Sequence, residues 1–167
     1  MSTVELSFSP LPAHVRTARL IASAVARRVG VDAQVLDEVR LAVGEACTRA
    51  VELHRRSGVT DLIRVSFSDG PTRFIISVED CARAADPDVP APGSDALAEL
   101  ARTVDLDDDD ALFEPLPAGV GIAVIGELVD DLDVDITDSG TSVCMSWPLV
   151  PVAITAPRDL GAPSTTQ

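Results

Sequence analysis

Glu45, Arg49 and Glu52 follow one another at spacings of four and three residues in the stretch GEACTRAVELH, residues 44–54. On a helix that spacing puts all three on one side, where their charges can meet. A carboxylate offers oxygens to a metal or accepts a proton; a guanidinium has only donors, so Arg49 suits a carboxylate or a phosphate. Two readings stay open. In one, Arg49 pairs with Glu45 and Glu52 in a helix-surface network, worth roughly a few tenths of a kcal/mol per pair. In the other, Arg49 contacts an anionic ligand or a protein partner.

Further positions invite chemistry less strongly. Asp80 closes a strand pattern, where an aspartate either caps a turn or reads a ligand. Gly119 and Gly121 open an apolar helical run; amides at such a start bind anions, and a tight turn accounts for the glycines equally well. His14 and His54 lack partners at metal-ligand spacing and read as surface or boundary residues. Cys47, Cys81 and Cys144 are odd in number and form no CxxC pair, which indicates neither a disulfide framework nor a zinc site. A reduced, cytoplasmic setting is the expectation. The acidic run 105–110 (DLDDDD) fails as a calcium loop, because Asp110 and Leu116 fall where glycine and glutamate are needed. It reads as a solvated loop or a contact for a basic partner.

The elements that must position these residues are legible. Residues 3–8 alternate like a strand, with Val4, Leu6 and Phe8 on one side. Residues 13–29 have helical spacing and stop at Gly30. Asp32 is the expected N-cap of a second helix running to Ser57, with Gly58 after it. Its apolar stripe is Val35, Val39, Ala42, Val43, Ala46, Ala50 and Leu53. Strands at 62–68 and 73–80 flank a DGP turn. Residues 81–118 read as loop with one helical piece near 95–104, and 119–131 as a buried helix carrying Ile122, Ile125 and Val129. A last hairpin covers 132–137 and 141–149. The fold class expected is α+β, a two-layer sandwich with helices on one face of a mixed, mostly antiparallel sheet. Residues 1–149 form the domain, and 150–167 read as a disordered tail.

Composition bounds the partners. The chain has 167 residues and a formal charge of −14. That balance argues against direct binding to nucleic acid or an anionic membrane. No apolar stretch approaches a membrane span, and no run resembles a signal peptide. Aromatic residues make up only 3%, so the core must be aliphatic.

In combination, the EACT–A segment of the second helix, the hairpin ending in Asp80, GVGIAVIGELVDD and the GT at 140–141 resemble the bacterial anti-sigma factors that are also serine protein kinases, of the gyrase–histidine kinase-type (GHKL) ATPase superfamily. The resemblance covers about residues 5–149. It implies a histidine kinase-like ATPase fold with Glu45 as base, Asp80 on the adenine amino group, Gly119 and Gly121 at the phosphates and Thr141 helping to hold adenine. Partners implied are a sigma factor and an anti-sigma factor antagonist, and relatives tend to form homodimers. This sequence departs from the pattern at three points. Arg49 replaces the family's magnesium-ligand Asn, and a guanidinium repels a divalent cation. Ala82 and Ala84 replace both glycines of the D-x-G-x-G turn. The segment between Ala84 and Ala118 is acidic where a triphosphate would lie. Glu45 is then vestigial as a catalyst, Arg49 lies where it could touch a phosphate, ATP binding is expected to be weak or absent, and magnesium is not expected. The function this implies is a regulatory anti-sigma factor with decayed kinase chemistry; the alternative is a working ATP-dependent serine kinase acting on the antagonist.

Overall fold

In the computed structural model, residues 2–82 and 120–149 are described. Strand β1 (Thr3–Phe8) leads into helix α1 (Pro12–Val29) and helix α2 (Leu36–Ser57). A hairpin, β2 (Ile63–Asp69) and β3 (Arg73–Asp80), follows. Helix α3 (Val120–Leu128) then precedes the hairpin of β4 (Asp131–Thr137) and β5 (Gly140–Pro148). The five strands form one sheet in the order β1-β2-β3-β5-β4.

The expected α+β fold of helices on a mixed, mostly antiparallel sheet is present, and every strand pairing among the described residues is antiparallel. The reason lies in the connections. Two antiparallel helices return the chain to the end of the sheet it left, so β2 starts opposite Phe8, with Phe8 facing Ile63. From there it can only run back. The other close neighbours are hairpins, and Gly70 donates its N–H to Arg73 O at 2.8 Å to close the first of them.

Alternation then divides the sheet into two faces. Phe67, Phe74, Ile76, Val78, Met145 and Trp147 are buried on the face that meets the helices. Ser66, Ser77 and Cys144 stand in register on the other. The edge strand β1 follows the pattern only in part: Phe8 is buried, Leu6 half-buried and Val4 exposed. Trp147 anchors the far side by donating its indole N–H to Leu128 O at 2.9 Å, which satisfies a carbonyl at the end of α3.

Helix ends show which local signals won. Gly30 and Gly58 cap α1 and α2 in the left-handed region, at φ 93° and 65°. Asp32 is not the N-cap of α2. That position is Val35, without a side-chain cap. Asp32 instead accepts the Gln34 N–H on Oδ1 at 2.9 Å and the Val35 N–H on its carbonyl at 3.0 Å. Its short side chain thus stabilises a turn that delays the helix. α2 packs on α1, α3 and β3, and a helix so enclosed must bury more than one stripe. Cys47, Val51 and His54 are buried beside the expected positions.

Among the described residues, no helix is long and apolar enough to cross a membrane. The loop reading of 83–118, its helical piece near 95–104, Gly119 and the tail 150–167 lie outside the described residues.

Candidate functional site

The side chains singled out by spacing converge where the C-terminal half of α2 faces the end of β3 and the start of β5. Arg49, one turn after Glu45, makes an ion pair with Asp80, Nη1 to Oδ2 at 3.6 Å. Among the described residues, its ion pair is with Asp80 and not with Glu45 or Glu52. Glu52 is forked by Arg55, which donates Nε and Nη2 at 2.9 and 2.6 Å, so the expected network along the helix is replaced by a cross-link from helix to sheet. Burial decides this. Asp80's side chain is only 2% exposed, and a carboxylate so enclosed needs a charged or donor partner far more than an exposed one does.

Asp80 is held from three directions. Oδ1 accepts the N–H of Ala82 at 3.1 Å and that of Thr141 at 3.3 Å, while Oδ2 faces Arg49. Burial raises its pKa above the ordinary 3.8, opposed by the Ala82 amide, Arg49, the Thr141 amide and His54. Thr141 is paired across from Asp80 in the β3–β5 register. It is buried, and its hydroxyl has no hydrogen-bond partner among the described residues. Gly140, just before it, has φ 143°. A Cβ there would collide with the Asp80 carbonyl oxygen and lie 3.0 Å from Cys81 Cα, so β5 can start this close to β3 only with glycine.

His54 was missed as a site residue. It is wholly buried, not a boundary side chain. Its Nε2 accepts the backbone N–H of Cys81 at 3.0 Å, and its Nδ1 is buried without a partner among the described residues. The signal for it was the second stripe Cys47, Val51, His54, at i, i+4, i+7.

Glu45 occupies the other end of the site, against the start of α3. A Cβ added to Gly121 would collide with its Oε1 and lie 3.0 Å from its Cδ. Gly121 therefore gives room to the chain's own carboxylate. Burial raises the Glu45 pKa above 4.5. Protonation is then easier in the folded state, so this group's stabilising share is complete below 4.5 and is lost as pH rises through the folded value. Glu45→Gln should melt at a higher temperature than the wild type at pH 7.5, with the two converging as pH falls toward 4.5. A gap in melting temperature that does not change with pH would remove charge burial as its cause.

The family model of the histidine kinase-like ATPase domain matches residues 8–147. The chain belongs to that family. No curated protein matches it significantly. The family implies a magnesium nucleotide, and the side chains present do not fit one. Among the described residues, position 49 presents a cation where the pattern has a magnesium ligand, and Asp80 has both carboxylate oxygens engaged.

Proposed function

We propose that this histidine kinase-like ATPase domain works as a regulatory binding protein, an anti-sigma factor controlled by an antagonist, in which nucleotide binding is weak or lost. The Arg49–Asp80 ion pair carries this reading. Asp80 is the group that resemblance assigns to adenine, and here the chain supplies its own cation to it. A nucleotide reading this carboxylate would have to displace that cation, and a magnesium ion would have to sit beside it. The fold and its core need none of this chemistry, so a partner surface can persist without it. Sigma factor and antagonist come from the sequence resemblance; a homodimer does as well.

The test is calorimetric titration of the whole chain with ATP, with and without magnesium. Expected is weak or undetectable binding that magnesium does not strengthen. Tight magnesium-dependent binding, together with phosphate transfer to a serine of an antagonist, would establish the working kinase instead.

A further inference from the structure

Helix α1 carries Arg16, Arg19, Arg27 and Arg28 and not one acidic residue, in a chain whose formal charge is −14. All other residues together therefore carry −18. Among the described residues, five other arginines find carboxylates: Arg40 on Asp37, Arg49 on Asp80, Arg55 on Glu52, Arg64 on Glu79, and Arg73 on Asp130 and Asp131. Among the described residues this helix's cations are matched by no carboxylate, so its charge is available to a partner.

The same face carries apolar area. Leu20 is 60% exposed and lies between Arg16 and Arg27 on one side of the helix, at spacings of four and seven residues. Those two arginines are about 16 Å apart along the axis. Ala13 and Ala24, also exposed, flank Leu20 and present no bulk to an approaching element. Arg19 is committed differently: its stem lies over Gly44 of α2, where a Cβ would be 3.0 Å from Arg19 Cδ. The free face is thus Arg16–Leu20–Arg27, with Arg28 beside it.

We infer that this face docks an acidic amphipathic helix of a protein partner, its apolar ridge over Leu20 and its carboxylates on Arg16 and Arg27. Charge selects this occupant. A second copy meeting it through α1 would set four arginines against four. A membrane or nucleic acid is an extended polyanion and would be repelled by the −18 that the rest of the chain carries. A single helix engages α1 alone. The inference rests on the reading that the domain acts by binding protein, and not on the loss of nucleotide.

The probe is a short fluorescent helical peptide with a leucine ridge flanked by glutamates, alongside its glutamine-for-glutamate version, read by anisotropy against the full chain. Arg16→Glu/Arg27→Glu should weaken binding of the acidic peptide by about tenfold or more, while Arg55→Glu/Arg64→Glu, with the same net charge, stays near wild type. The glutamine peptide should not bind. Absence of binding to the wild type, or equal loss in both double variants, overturns the inference. So does Arg16- and Arg27-dependent sedimentation with vesicles of equal parts phosphatidylserine and phosphatidylcholine. Melting curves of both variants establish that each is folded. The ATP titration is a separate readout, so failure here leaves the nucleotide question where that experiment puts it.

Discussion

Gly140→Ala is expected to destabilise the domain by about 3 kcal/mol or more, from two costs of roughly 1–3 kcal/mol each. The first is backbone strain. Gly140 has φ 143°, which an L-residue with a side chain rarely adopts. The second is steric. The new Cβ would collide with the Asp80 carbonyl oxygen, which is backbone and cannot swing aside. Relief requires β5 to back away from β3 just where Thr141 donates to Asp80, so the damage spreads to the candidate site. Against a total stability of about 5–15 kcal/mol for a domain of this kind, the loss is large. Gly58→Ala is the matched control. Gly58 has φ 65° with nothing within 4 Å of its added Cβ, so it bears the strain alone, about 1–2 kcal/mol. Urea unfolding of both variants separates the two costs. Equal losses would mean that the close approach of β5 to β3 is not what fixes glycine at 140.

What the sequence disclosed and what it hid divide along a physical line. Helix ends at Gly30 and Gly58 and the hairpin turns were legible because their causes are local: one left-handed residue, one tight turn. The α2 stripe was legible at Val39, Ala42, Val43, Ala46 and Ala50, since periodicity reports one face. It did not disclose that α2 is enclosed by α1, α3 and β3, and so His54 was assigned to the boundary although it is wholly buried. Asp32 misled because an aspartate serves a turn as readily as a helix start. Arg49 is the sharpest case. Spacing along α2 offered it Glu45 and Glu52, worth little at a surface. A residue 31 positions away claimed it: Asp80, almost fully buried at the end of β3. Long-range burial cannot be read from spacing within one helix.

Arg49→Leu should cost about 3 kcal/mol at neutral pH, at the low end of what removing one partner of a buried ion pair does. Arg49 is 15% and Asp80 2% exposed in their side chains, so water replaces the lost cation poorly. Two backbone amides stay on Oδ1, which keeps the loss from being greater. The pH dependence identifies the mechanism. Burial already raises the Asp80 pKa above 3.8, and Arg49 is one of the groups that oppose this; without it the folded-state value rises further. A raised folded pKa gives stability that is fully present below 3.8 and lost as pH rises through the folded value. The deficit of Arg49→Leu should therefore shrink as pH falls toward 3.8 and grow toward pH 7.5. A second variant separates charge from packing, because Arg49→Leu also removes a guanidinium that fills space. In Arg49→Leu/Asp80→Asn the buried charge is gone, so the double variant should recover part of the loss, a coupling of about 1 kcal/mol or more. Urea unfolding of wild type, both single variants and the double variant at pH 4 and 7.5 measures all of this. A deficit that is the same at both pH values, with no recovery in the double variant, would mean that Arg49 acts through its stem and that Asp80 is held by the Ala82 and Thr141 amides alone. The internal cation would then no longer support the proposal that nucleotide binding is weak or lost.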